Sequence, residues 1–130
     1  MKPKILVIED NEQNLYLITF ILEKNGYQVV QARDGREGIE LAGRVKPTLI
    51  LLDIQLPVMD GYAVARELRS QPALADVPIV AVTSYAMVGD REKILAAGCN
   101  GYIEKPINPE TFVAEVERYL PVQPPVQGGE

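Results

Sequence analysis

Short apolar runs in this chain repeatedly end in a side chain that could do chemistry. Glu9 and Asp10 follow Ile5-Leu-Val-Ile8, Asp53 follows Leu49-Ile-Leu-Leu52, Thr83 follows Ile79-Val-Ala-Val82, and Lys105 comes just after Tyr102-Ile103. If the fold gathers these ends, three carboxylates meet. Each pair at about 4 Å costs roughly 1 to 4 kcal/mol between bulk-water and near-surface dielectric, so the cluster should take up a proton or a hard cation. Mg²⁺ suits such a site, because it prefers oxygen, keeps several waters and takes one or two carboxylates directly together with phosphate oxygen. Asp10 and Asp53 would supply those carboxylates, the longer Glu9 would reach the ion through a water, and the backbone carbonyl of Gln55 would be a further ligand. Thr83 adds a hydroxyl donor and Lys105 an ammonium, which makes a phosphoryl-binding site with Asp53 as the attacking carboxylate.

The elements that must position these residues are legible from apolar spacing. Residues 4–8 are too few for a helix and rich in strand formers, so they predict a strand buried on both faces. Over residues 12–24, Leu15, Ile18, Leu22 and the slightly offset Ile21 recur at helical spacing, and Asn25-Gly26 stops the helix. A second strand is expected at 27–32, then a helix carrying Ile39, Leu41, Ala42 and Val45 that ends before Pro47. Residues 48–52 form the most apolar strand candidate, closed by Asp53 and followed by a loop with Pro57 and Asp60-Gly61. The remaining pattern predicts a helix at 62–69, a strand at 77–82, a helix at 90–97 stopped by Gly98, a short strand at 102–103 and a last helix over 109–120.

Strands alternating with helices call for a parallel sheet covered on both faces, since each crossover returns the chain to the same end of the sheet. The expected architecture is α/β, a five-stranded sheet in flavodoxin-like order 2-1-3-4-5, with ligands at the carboxyl ends of strands 1 and 3. Those ends carry Glu9-Asp10 and Asp53. One domain over residues 1–120 is expected. Beyond it Pro121, Pro124, Pro125 and Gly128-Gly129 oppose helix and ladder alike, so 121–130 reads as a flexible tail.

Composition narrows the function. The chain has 130 residues, 47% hydrophobic and 24% charged, which suits an ordinary globular domain. Thirteen Lys and Arg against eighteen Asp and Glu give a net charge of −5, which opposes direct DNA binding. With no histidine, Ser-His-Asp and Cys-His catalysis and His-ligated zinc are excluded. The single Cys99 cannot form an internal bridge and is expected to pack as a small hydrophobe. No secretory leader is visible and no apolar run approaches the ~20 residues of a membrane span, so a cytoplasmic protein without membrane insertion is expected.

Over roughly residues 3–120 the chain resembles the receiver family of two-component response regulators. The resemblance rests on Glu9-Asp10, on Leu51-Leu-Asp53-Ile-Gln-Leu-Pro57-Val-Met-Asp60-Gly61, on Thr83 and on Lys105-Pro106. Glu9-Asp10-Asn11, Ala86-Met87-Val88-Gly89-Asp90 and Ala97-Gly98-Cys99 are closer to single-domain cell-cycle regulators and hybrid-kinase receivers than to DNA-binding regulators. The resemblance implies a phosphoryl acceptor at Asp53, phosphoryl-stabilising Thr83 and Lys105, and a switch pair of Thr83 and Tyr102. It also implies a usually cis peptide before Pro106. Gln55 and Tyr85 occupy two positions that vary in the family and modulate phosphoryl lifetime, and the bulk of Tyr85 suggests a long-lived adduct. The implied partners are a histidine kinase or histidine phosphotransfer protein upstream, a downstream protein on the face of helix 4, strand 5 and helix 5, and a weak homodimer.

Taken singly, each residue has an ordinary alternative. Adjacent acids after a strand are common turn and cap residues, Thr83 is an unremarkable strand end, and a lysine before proline is usually solvated. Their conjunction at successive strand ends favours the functional reading. The charges from Arg91 to Lys93 read as a solvated helix face. A Mg²⁺-dependent aspartyl-phosphate phosphatase would need a second Asp where Gln55 stands, and a flavin module would need a Gly- and Ser-rich first loop where Glu9-Asp10-Asn11 stands. A constitutive interaction module would be expected to have lost the acceptor, an acidic partner or the lysine, and all are present.

Overall fold

The computed structural model describes residues 3–56, 59–84 and 88–121. Tyr85 and the segment 122–130 lie outside the described residues, so the expectations placed on them are not addressed by the structure. The elements run β1 (Lys4–Ile8), α1 (Glu12–Lys24), β2 (Gln28–Ala32), α2 (Gly35–Val45), β3 (Leu49–Asp53), α3 (Gly61–Arg69), a 3₁₀ turn (Pro72–Leu74), β4 (Ile79–Thr83), α4 (Val88–Ala96), β5 (Gly101–Glu104) and α5 (Phe112–Glu117). All strand pairings are parallel and the order is β2-β1-β3-β4-β5, as the alternation predicts.

Side-chain caps start the first three helices. Asn11, Asp34 and Asp60 accept from the backbone N–H of Asn14, Glu37 and Ala63 at 2.9, 2.8 and 2.9 Å. Each satisfies one of the orphan donors of a first turn, a contribution of about 1 kcal/mol. After α1 the chain reverses at Gly26, whose φ of +93° lies in the left-handed region that favours glycine.

The sheet separates two apolar clusters. Leu6, Ile8, Ile50, Leu52, Ile79 and Ala81 pack on one face against Val64, Leu68 and Ile94. Their alternating neighbours Ile5, Val7, Leu49, Leu51, Val80 and Val82 pack on the other against Leu15, Ile18, Leu22, Phe112 and Val116. Because both faces are covered, β3 and β4 are buried at every position, which explains their unbroken apolar runs. At about 1.5 to 3 kcal/mol for a fully buried large apolar side chain, these strands hold the loops at their ends in place.

Several boundaries differ from expectation for local reasons. The fourth strand begins at Ile79 because Val77 N–H turns back to Leu74 O at 3.2 Å, completing the 3₁₀ turn, and Pro78 has no N–H to offer. The last helix is only Phe112–Glu117. Before it, Asn108 Oδ1 accepts from Glu110 N–H at 2.9 Å and forms an Asx turn, while Tyr119 and Leu120 close back on Val116 and Glu117 through i→i−3 bonds.

The rim where the strands begin carries a clasp. From the end of α3, the Arg69 guanidinium donates to the carbonyls of Leu74, Ala75 and Val77 at 2.8, 3.1 and 2.9 Å, and twice to Gly98 O at 3.1 and 2.8 Å. It also donates to Asn100 Oδ1 at 3.0 Å, and the same oxygen accepts from Ile79 N–H at 2.9 Å. One cation thus joins the approach to β4 with the turn between α4 and β5.

Candidate functional site

Parallel pairing puts every strand's carboxyl end on one rim. Ile8 faces Leu52, Asp53 faces Val82 and Thr83 faces Glu104, so the residues at or just beyond those positions share one neighbourhood. Glu9 extends the sheet by donating its N–H to Ala32 O at 2.9 Å, and Lys105 does so by donating its N–H to Thr83 O at 2.8 Å.

Glu9, Asp53 and Thr83 are almost fully buried, whereas Asp10 is exposed. Carboxylate oxygens of Glu9, Asp10 and Asp53 lie within 4.8 Å of one another. The Lys105 ammonium sits between two of them, 3.4 Å from Glu9 Oε1 and 3.4 Å from Asp53 Oδ2. Asp53 Oδ1 accepts from Gln55 N–H at 2.9 Å and Glu9 Oε2 from Asn11 N–H at 3.1 Å, so one oxygen of each buried carboxylate is fixed by the backbone. Among the described residues Glu9 Oε1 is buried without a hydrogen-bond partner, with the Lys105 ammonium 3.4 Å away. Burial first, and then the Asp53 carboxylate, push the Glu9 carboxyl up to about 7, against Lys105 and the Asn11 N–H.

These observations pass the test for a divalent cation. The donor set is all oxygen, and among the described residues one buried carboxylate oxygen has no hydrogen-bond partner and one lysine is set against the three carboxylates. Gly61 packs directly on the chain leaving β3, where a Cβ would overlap Ile54 Cα and come within 2.7 Å of the Asp53 carbonyl oxygen. A groove of about 400 Å³ lined by Arg36, Glu37, Ile39, Glu40, Met59 and Glu67 contains none of the rim residues, and a site for one ion and one small anion does not require it.

Of the remaining residues singled out from the sequence, Gln55 follows β3 and its side-chain oxygen accepts from Ser84 N–H at 3.0 Å. Tyr102 stands on β5, half-buried against the cluster beneath α3 and α4. The Lys105–Pro106 peptide is cis. Arg91, assigned only to a solvated face, has its guanidinium 5.5 Å from the centre of the Tyr102 ring while its side chain is exposed. An aromatic one strand away leaves no periodic signal in the helix, so the spacing could not reveal this contact.

A sequence model of the response regulator receiver domain matches residues 5–117. The chain belongs to the response regulator receiver family. This receiver is 40% identical over 120 residues to the polar-differentiation response regulator DivK of Brucella anthropi, covering 92% of this chain and 98% of that protein. Among solved structures it is similar to the receiver domain of a sensor histidine kinase from Pseudomonas aeruginosa, with TM-score 0.84, 39% identity and coverage of 92% and 98% of the two chains. That structure has a magnesium ion coordinated in the active-site cleft. The Vibrio cholerae chemotaxis protein CheY4 superposes with TM-score 0.89 at 29% identity, covering 92% of this receiver and all of the other chain.

Proposed function

We propose that this receiver accepts a phosphoryl group on Asp53 in a Mg²⁺-dependent reaction and relays the change to a protein-binding face. The observation that carries the reading is the convergence of Glu9, Asp10 and Asp53, with Lys105 between Glu9 and Asp53 and Thr83 ending the neighbouring strand. Asp10, Asp53 and the Gln55 carbonyl would hold the ion, with Glu9 reaching it through a water. When bound, the ion neutralises the carboxylates and the incoming phosphoryl oxygens.

The chain's own groups do the rest. A carboxylate oxygen of Asp53 forms the new bond to phosphorus as the bond to the donor's leaving oxygen or nitrogen breaks. The Lys105 ammonium offsets the added negative charge and the Thr83 hydroxyl donates to a phosphoryl oxygen. Movement of Thr83 toward that oxygen would let Tyr102 turn inward and reshape the face of α4, β5 and α5. The catalysis is confined to the protein's own phosphoryl transfer and hydrolysis. The donor is a cytoplasmic histidine kinase or phosphotransfer protein, and the reshaped face receives a downstream protein.

The test is intact-mass analysis after incubation with acetyl phosphate. Wild type should gain one phosphoryl mass only with Mg²⁺, and Asp53→Asn should gain none. Labelling that persists in Asp53→Asn, or in excess chelator, contradicts the assignment. A protein that never labels and binds its partner regardless would instead be a constitutive interaction module.

A further inference from the structure

At the reactive rim the pairing of β3 with β4 stops one rung early. Asp53 faces Val82, and Ile54 N–H donates to Val82 O at 3.2 Å. In a parallel ladder the next rung would carry Ser84 N–H to Ile54 O. Ile54 O instead accepts from Gly61 N–H at 3.0 Å, and Ser84 N–H is taken by the side-chain oxygen of Gln55 at 3.0 Å. The close approach at Gly61, where a Cβ would overlap the Ile54 backbone, permits the exchange of partners.

Gln55 is therefore tied at both ends. Its backbone N–H donates to Asp53 Oδ1 at 2.9 Å and its amide oxygen holds the backbone N–H next to Thr83. We propose that Gln55 is a strap across the mouth of the site, and that phosphorylation of Asp53 transfers the Ser84 N–H from the amide oxygen of Gln55 to a phosphoryl oxygen. The inference rests on phosphoryl acceptance at Asp53 and adds a specific competitor for one of its donors. A phosphoryl group brings three strong acceptors to the end of β3. Hydrogen bonds to a charged acceptor are roughly twice as strong as neutral ones, so the anion displaces the amide. Gln55 and Ser84 are both exposed, so the released side chain goes to water without leaving a buried polar group unpaired.

The strap works against phosphorylation, because its bond is lost on the way to the product. A neutral hydrogen bond of ordinary net strength corresponds to a factor of about two to ten. Gln55 is thus a positioning residue acting through Ser84, and the strap itself exists in the resting state. The backbone carbonyl assigned to the metal is retained in any substitution here.

The experiment compares wild type, Gln55→Ala and Gln55→Asn at saturating Mg²⁺ by ¹H–¹⁵N spectra and by the rate of phosphate mass gain from acetyl phosphate. In the unphosphorylated state both variants should shift the Ser84 amide signal. In the phosphorylated state wild type and Gln55→Ala should give the same Ser84 signal, because the strap is released in both, and Gln55→Ala should label about two- to tenfold faster. A Ser84 signal unmoved by phosphorylation in wild type, or one still sensitive to Gln55 after phosphorylation, overturns the strap. If wild type gains no phosphate mass, the Asp53 reading itself fails and the transfer fails with it.

Discussion

The Arg91 guanidinium is 5.5 Å from the centre of the Tyr102 ring, so α4 holds a cation over the aromatic residue assigned to switching. An exposed cation–π contact contributes about 0.5 to 1 kcal/mol, a two- to fivefold bias. That bias favours the resting position of Tyr102. Arg91→Ala should raise the inward population of the ring and, by reciprocity, the extent of Asp53 phosphorylation at limiting donor. Arg91→Lys should lie between the two. Tyr102 ring chemical shifts identical in all three proteins would show that the contact has no hold on the ring.

Glu9 predicts a pH dependence of stability in metal-free protein. Its carboxyl is pushed up from 4.5 to about 7 in the folded state, so the native protein binds more protons than the unfolded chain between those values. The Glu9 contribution to stability is therefore fully present below pH 4.5 and is lost as pH rises through about 7. The difference in urea midpoint between wild type and Glu9→Gln should change across this window, with wild type losing ground at the alkaline end. Excess Mg²⁺ should remove the loss. Parallel pH profiles for the two proteins would count against a buried, raised Glu9.

Arg69 carries the clasp at the opposite rim. Arg69→Ala leaves partly buried carbonyls of Leu74, Val77 and Gly98 without this donor, and unfolding free energy should fall by about 2 to 4 kcal/mol. Arg69→Lys cannot reproduce the fork and should recover little. Mg²⁺ affinity should stay within about twofold, since no rim carboxylate touches Arg69 and a twofold change is only a few tenths of a kcal/mol. A loss under 1 kcal/mol in urea unfolding would mean that water replaces these bonds at little cost.

Tyr27 ties the start of β2 to the end of α5 through a 2.5 Å bond from its hydroxyl to Glu117 Oε2. Burial, then Glu117, push the phenol up to about 12. The stabilisation is present below pH 10 and lost as pH rises through 12. Tyr27→Phe should cost about 1 to 2 kcal/mol at neutral pH. In a spectrophotometric titration the phenol of Tyr27 should ionise later in wild type than in Glu117→Gln. An unchanged titration would remove the coupling.

What could be read from the sequence follows from how each contact is made. Glu9, Asp10, Asp53, Thr83 and Lys105 were legible because apolar runs give strand ends, and a parallel sheet sends all of those ends to one rim. The relative burial of the acidic pair was not, since adjacent residues after a strand differ only in the direction the chain takes on leaving it. The Arg69 clasp gives almost no signal, because its acceptors are mostly main-chain carbonyls, which every residue possesses. The Gln55–Ser84 bond depends on a ladder rung diverted by Gly61, a tertiary approach that residue types alone do not encode. The short α5 was missed because the apolar spacing continues through Tyr119 and Leu120 even where the backbone has tightened out of the α-helix.

The Arg69 clasp and the carboxylate cluster stand at opposite ends of strands such as β4, a five-residue strand spanning about 16 Å. Part of the resistance to unfolding is therefore carried by residues that touch none of the rim carboxylates. Selection for a hotter habitat can act on Arg69, Asn100 and the turns they bind without touching Glu9, Asp10 or Asp53. Gln55 itself is exposed and can be exchanged without opening the core, whereas its neighbours Ile54 and Leu56 are packed in the apolar cluster. A lineage built on this scaffold can therefore accumulate changes at the two rims in separate steps.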